Sequence, residues 1–261
     1  MKIGDFLSAE YLLDSIVIIS HVLGKDKAWV LSHLDSSISP TEAEIIRKML
    51  ERRKAGVPLA YVVGRKEFMG FEFEIWEGVF IPRPETERLV EVAVDLMERE
   101  GIGEAVEVGC GSGAVSISIS KLTGCKMACS DVSGRAVELT KRNARRLGVE
   151  DLVDARLGSF LEPFSDILDD LKLVVSNPPY VERSYNLPKE VSYEPEEALF
   201  FGEDSIDFYA EFSRLYKGAG FWVVMEFSGK DKDKKLLKEF FRDVVFVKDL
   251  DGVERFFIGR A

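Results

Sequence analysis

The chain predicts an α/β fold: a mostly parallel, doubly wound sheet of seven strands, preceded by a small helical domain and a linking β-hairpin. Three observations predict it. From about residue 84 onward, apolar runs of strand length alternate with amphipathic runs of helix length. Before residue 64 the apolar spacing is helical throughout. Between residues 67 and 75 it switches to a period of two around Gly70.

In chain order, Ser8-Ala9-Glu10 leads into Leu12, Leu13, Ile16, Ile19 and Val22, a helix expected over 8–23 with Gly24 as its stop. A second helix is expected near Ala28–Leu34. Ser39-Pro40-Thr41-Glu42 opens a third, with proline at its first position and Ile45, Ile46, Met49 and Leu50 on one face. This helical domain, residues 1–63, is marginal alone. A hairpin linker occupies 64–83, and the α/β domain takes 84–261. Its elements read as a helix (87–100), a strand (105–108), a helix (113–123), a strand (126–130), a helix (133–147), then strands near 154–157 and 173–176. A helix near 206–216, a strand at 221–225, a helix at 232–241 and strands at 244–247 and 255–258 complete it. Asp249-Leu250-Asp251-Gly252 is short enough to make the last two an antiparallel pair.

The net charge of −11, from 35 basic and 46 acidic residues, argues against a protein held on nucleic acid by phosphate contacts. The one basic cluster, Arg47, Lys48, Arg52, Arg53 and Lys54, ends a helix that begins with Glu42 and Glu44. That distribution suits the helix dipole and reads first as a solvated helix, second as a small contact patch for an RNA-containing partner. Only His21 and His33 exist, both far upstream of the motifs below, which excludes Ser-His, Cys-His and His-ligated metal chemistry from the α/β half. Cys110, Cys125 and Cys129 cannot pair evenly; the last two fall on one face of a strand and read as buried thiols. No apolar run reaches the ~18 residues of a membrane span, and Met1-Lys2-Ile3-Gly4-Asp5 does not resemble a signal peptide. A cytoplasmic monomer without a metal or membrane is the expectation.

Two motifs carry the chemistry. Leu173-Val174-Val175-Ser176 runs into Asn177-Pro178-Pro179-Tyr180, where consecutive prolines end the ladder and make a rigid turn at the carboxyl end of a strand. The turn offers an amide side chain, bare carbonyls and an aromatic ring, groups suited to a planar, uncharged NH2. A given tetrapeptide arises by chance in a chain this long on the order of once in a thousand, so a mere strand stop is the weaker reading. Earlier, Glu107-Val108-Gly109-Cys110-Gly111-Ser112-Gly113 joins a strand to a helix. Gly109, Gly111 and Ala114 also fit a dinucleotide fingerprint. Asp131, ending the next strand, is placed to bind ribose hydroxyls with either cofactor; a cap on the following helix is an equal reading and compatible with both. Glu107 tilts the balance between cofactors: an acid before the turn opposes a pyrophosphate but suits the ammonium of a methionine moiety. S-adenosyl-L-methionine is the expected cofactor.

With these residues in order, the chain resembles the HemK/PrmC family, the N5-glutamine methyltransferases that modify peptide-chain release factors, over nearly its whole length. Pro58 to Gly64, with Glu67-Phe68 and Gly70, resembles the family's interdomain segment. Ile81-Pro82-Arg83-Pro84-Glu85-Thr86-Glu87 resembles its diagnostic proline-arginine stretch. Glu194-Pro195 with Ala198-Leu199, and Asp249 to Arg255, resemble later landmarks. The resemblance implies a class I methyltransferase fold, Rossmann-like, and a release factor as protein substrate. It implies that Glu107 and Gly109, Cys110, Gly111, Ser112 and Gly113 border the methionine part of the cofactor, that Asp131 holds the ribose, and that Ser159 and Phe160 lie near the adenine. Ser159 stands where the family often has an acid. Asn177 would touch cofactor and substrate, Pro178, Pro179 and Tyr180 would complete the substrate pocket, and Phe80, Arg83 and Pro84 would form its rim. The helical domain would recognise the protein substrate, with the basic helix ending at Lys54 as contact. A DNA or RNA exocyclic-amine methyltransferase uses the same strand end and is the alternative; a nicotinamide-dependent oxidoreductase is a more distant one.

Overall fold

The computed structural model describes residues 1–261 as two compact units: Met1–Arg65 with Leu187–Tyr193, and Lys66–Asn186 with Glu194–Ala261. The β-hairpin falls in the second unit. A seven-residue strap from the middle of the α/β half, Leu187–Tyr193, groups with the helical one, and nothing in the sequence pattern marks it.

The first unit holds α1 (Leu12–Leu23), α2 (Lys27–Ser32), α3 (Pro40–Lys54) and α4 (Leu59–Val63). Residues 8–11 precede α1 rather than opening it, and Tyr11 sits at its N-cap. The start of α3 follows the sequence: the Ser39 side chain accepts the Glu42 N–H and Glu42 reaches back to the Ser39 N–H. Its apolar face packs Ala43, Ile46 and Leu50 against Ile16, Ile18 and Ile19 of α1. The sequence reading missed α4, whose Pro58 start and Gly64 end leave too short a run to show periodicity.

Arg53, near the end of α3, is only 11% exposed; its guanidinium holds Asp14 of α1 at 2.5 Å and Glu190 of the strap at 2.6 Å. The Tyr193 hydroxyl donates to the Ala55 carbonyl at 3.2 Å. The expectation that the basic helix presents a free contact patch therefore changes at this residue: Arg53 is an internal strut. Arg47 and Lys48 share Glu44 on their own helix.

From Lys66 the second unit opens on the hairpin of β1 (Arg65–Phe68) and β2 (Phe71–Glu74), joined by Met69 and Gly70, both at positive φ. Asn143 clamps this hairpin, accepting the Glu74 N–H and donating to the carbonyls of Glu74 and Ser112. The sheet follows, with α5 (Glu87–Glu100), β3 (Glu104–Val108), α6 (Ala114–Thr123), β4 (Lys126–Asp131), α7 (Gly134–Arg146), β5 (Val153–Leu157), β6 (Leu173–Ser176), α8 (Glu196–Leu199), α9 (Asp207–Tyr216), β7 (Trp222–Glu226), α10 (Asp231–Phe240), β8 (Arg242–Lys248) and β9 (Glu254–Arg260). The strand order is β5-β4-β3-β6-β7-β9-β8, parallel except for β9. Cys129 is buried on β4, whereas Cys125 precedes the strand and is half-buried. An aromatic core of Phe164, Phe208, Tyr209, Phe212, Phe221, Phe227 and Phe257 fills the α9–α10 face.

Candidate active site

Strand register builds the site. Val108 of β3 pairs with Ser130 of β4 and with Ser176 of β6, and Ser176 pairs with Met225 of β7. The next residue along each chain therefore stands on one level: Asp131 and Glu226, the last residues of β4 and β7, and Gly109 and Asn177, the first residues past β3 and β6, form a row across the carboxyl edge. The Ser176 hydroxyl, donating to the Val108 carbonyl at 2.7 Å, locks the two central members. The same level of an open α/β sheet is where ligands bind.

The glycine turn spends its donors internally. The N–H groups of Gly109 and Cys110 go to the Ser130 carbonyl, that of Gly113 to the Cys110 carbonyl, and that of Gly111 to Asp131 Oδ2 at 2.8 Å. With those four N–H groups turned inward, the turn offers a pyrophosphate fewer of the outward N–H groups that such a ligand needs. Beneath it Glu107, 2% exposed, takes the Ser116 N–H at 2.9 Å and the Ser116 hydroxyl in a shorter contact. Burial pushes its carboxyl up to about 8, against the pull of the Ser116 bonds. Asp131 is raised too, first by burial, while its bonds to Ser133 and Gly111 hold it down. Two desolvated acids and no facing cation favour a positively charged ligand. Nothing lies within 4 Å of the space a Cβ on Gly109 would take, and on Gly111 only Phe80 would be met, at 4.0 Å. The open side of the turn thus fits a cationic methionine moiety, with Phe80 as flank. Cys110 and Ser112 are buried and would meet a ligand through backbone alone.

Asp131 is not the cap of α7; Ser133 accepts the Ala136 N–H there, and Asp131 Oδ1 takes the Ser133 N–H at 2.9 Å. Phe160, at a positive φ of 49°, packs its ring among Phe201, Phe208 and Phe212 and is 8% exposed. Its carbonyl accepts from Ser130 Oγ. The apolar side chains left open at this end of the sheet are Val132 and Leu157, after and beside Asp131. Neither stood out in the sequence.

Around Asn177 a second set of groups closes. The Arg83 guanidinium packs over the Phe80 ring and pairs with Glu194, whose side chain is 2% exposed and also accepts the Ile81 N–H at 3.1 Å. Glu194 thus fastens the proline-arginine stretch to the Glu194-Pro195 segment. Tyr180 donates its hydroxyl to Glu226 at 2.7 Å, and Thr86 donates to the other oxygen of Glu226 at 3.0 Å. The sequence reading did not single out Thr86, Glu194 or Glu226 as site residues. The signal available was positional: each stands in or beside a motif, and Glu226 follows a strand that pairs with the one bearing Asn177.

A glycine turn with buried acids, an acid on the next strand, and an Asn-Pro-Pro-Tyr strand end, set on a sheet of this order, define a class I, S-adenosylmethionine-dependent methyltransferase. Model matches agree in both parts of the chain, PrmC N-terminal domain over residues 6–64 and Methyltransferase small domain over 83–195. A release factor glutamine methyltransferase of Dictyoglomus turgidum is 36% identical over 264 residues, covering 97% of this chain and 93% of the relative. One of Aquifex aeolicus is 34% identical, covering 97% and 92%. The chain belongs to the release factor glutamine methyltransferase family. Among solved structures, the hMettl16 catalytic domain in complex with a MAT2A 3′UTR hairpin superposes with a TM-score of 0.58 at 15% identity, covering 85% of this chain and 81% of that one, a likeness of fold.

Proposed function

We infer that this protein transfers a methyl group from S-adenosylmethionine to the side-chain amide nitrogen of a glutamine in a peptide-chain release factor. The observation that carries the reading is the register that sets Asn177 beside Gly109, one strand from the cofactor turn.

Glu107, the glycine turn and Asp131 would hold the cofactor, with Val132 and Leu157 beside its adenosine end. When bound, it supplies an electrophilic methyl on a cationic sulfur. Asn177 Oδ1 and the Pro178 carbonyl accept the two hydrogens of the glutamine amide. Held by two acceptors, the nitrogen loses conjugation with its carbonyl and directs its lone pair at the methyl. The nitrogen–methyl bond forms as the methyl–sulfur bond breaks, and the nitrogen then releases a proton to water. No strong base is required, because the amide nitrogen is cationic and strongly acidic once it carries the methyl beside its two hydrogens; both histidines lie in the helical unit. Tyr180, fixed through Glu226, covers the amide face, and Phe80, Arg83 and Pro84 border the entrance.

The helical unit recognises the folded substrate and takes no part in bond making; every group assigned to the chemistry comes from the second unit of one chain, in keeping with a monomer. Three free cysteines suit the cytoplasm, where release factors work. The test is methyl transfer from labelled cofactor to purified release factor, total RNA and DNA in parallel, with mass spectrometry of the modified peptide. Label on a release-factor glutamine is expected; label confined to nucleic acid would overturn the reading.

A further inference from the structure

Thr86 occupies the N-cap of α5, where a threonine ordinarily uses its oxygen to accept a helix N–H; here it makes no such bond. The side chain is 3% exposed and turns instead toward the sheet. It donates to Glu226 Oε2 at 3.0 Å and accepts from Asn177 Nδ2 at 3.1 Å. Glu226 is itself 3% exposed and accepts from Tyr180 through its other oxygen.

We propose that Thr86 and Glu226 are positioning residues that fix the sense of the Asn177 carboxamide, so that its oxygen and never its NH2 faces the substrate amide. The argument is one of proton count. A carboxylate can only accept, and a threonine hydroxyl has one proton. Glu226 therefore draws the Thr86 proton to itself, and the Thr86 oxygen facing Asn177 can only accept. An asparagine amide has two faces of similar shape, and a flip would turn two donors toward a substrate NH2 that is also a donor. With Thr86 polarised by Glu226, the flipped form would set the half-buried Oδ1 against the buried Thr86 oxygen, acceptor against acceptor, which leaves the Thr86 oxygen without a donor. The same carboxylate orients Tyr180, so one buried acid sets the polarity on both sides of the substrate amide. Burial raises the Glu226 carboxyl, while the bonds from Tyr180 and Thr86 pull it back toward ionisation.

The kinetic half of the test rests on the glutamine-methylation reading; the spectroscopic half does not, which keeps the two failures apart. Thr86→Val keeps the shape and removes the hydroxyl, and Thr86→Ser keeps the hydroxyl. With release factor as substrate, Thr86→Val is expected to lower kcat by about a hundredfold, the order of loss that misplacement of a reacting group gives. KM and S-adenosylhomocysteine affinity should stay near wild type, and Thr86→Ser should recover most of the rate. In the ligand-free protein, the Asn177 side-chain NH2 signals, assigned by their loss in Asn177→Asp, should be protected from hydrogen exchange in wild type and Thr86→Ser and exposed in Thr86→Val. Should Thr86→Val fail to fold, Glu226→Gln takes its place, since Thr86 and Tyr180 donate to different oxygens of Glu226 and a glutamine sets an NH2 donor against one of them. Wild-type protection and rate in whichever variant folds would overturn the proposal. Wild-type enzyme inactive on release factor but with the protection pattern intact would overturn the substrate reading and leave the positioning role standing.

Discussion

Asp131 accepts the Gly111 N–H at 2.8 Å, tying the end of β4 to the glycine turn that follows β3. One carboxylate thus shapes the turn as well as facing the ligand.

Asp131→Ala should therefore weaken two properties together. The half-buried N–H groups of Gly111 and Ser133 lose their acceptor, at about 0.5–1.5 kcal/mol for each hydrogen bond. Calorimetry should show at least a tenfold fall in S-adenosylhomocysteine affinity, and chemical denaturation a matching loss of stability. A variant of wild-type stability with weakened binding would confine Asp131 to ligand contact.

Gly109 and Gly113 should respond differently to alanine. Both have φ near +80°, but a Cβ on Gly109 meets nothing within 4 Å, whereas on Gly113 it would lie 2.8 Å from Ile117 Cδ1 and 2.9 Å from Thr140 Cγ2. Gly109→Ala is expected to cost about 1 kcal/mol of backbone strain and most of the cofactor affinity. Gly113→Ala adds overpacking of about 1–3 kcal/mol and should fold poorly. Equal melting temperatures would contradict this.

Glu107 predicts a pH dependence of stability. Its carboxyl rises on folding from an ordinary 4.5 to about 8. Between those values the unfolded chain gives up a proton that the folded one keeps, so stability must fall as pH climbs through that window. Asp131 and Glu226 are raised in the same direction. The ligand-free melting temperature should drop from pH 5 to 8, and Glu107→Gln should flatten part of the slope. An identical slope in the variant would remove Glu107 as its source.

Asn177→Ala should abolish methyl transfer while leaving the melting temperature within a few degrees of wild type, because the side chain directs the nucleophile and is only half-buried. Asn177→Asp should be severely impaired too, since it places a charge beside the cofactor. Retention of more than about a tenth of kcat/KM, a loss under ~1.4 kcal/mol, would refute its role.

Arg53→Met tests the strut. The pair with Asp14 is mostly screened from solvent, so the loss should fall between the ~0–1 kcal/mol of an exposed pair and the ~3–5 kcal/mol of a buried one. Denaturation of the whole protein should show it. Charge reversal at Arg53 would accordingly disturb folding before it disturbs substrate recognition. Unchanged stability would restore the contact-patch reading.

The sheet was legible because its elements are long and regularly alternating: α5 has the expected bounds, and most other elements shift by one to three residues at an end. The Asn177 and Gly109 turns were legible because proline and glycine restrict the backbone locally. What escaped was set by register and burial. Glu226 is adjacent to Asn177 only through the pairing of β6 with β7, and Glu194 meets Arg83 across 111 residues. Thr86 reads as a helix cap, and only the packing reveals that its hydroxyl is directed elsewhere.

The strap Leu187–Tyr193 begins seven residues after Tyr180 and ends just before Glu194. Its Glu190 is held by Arg53 and its Tyr193 by Ala55. A cut at residue 65 would thus strand seven residues whose partners have gone. In inheritance the helical piece is therefore no free cassette: a recombination that replaces the first 65 residues alone would import an α3 without its matching Glu190, and only exchanges carrying both stretches would keep the protein whole.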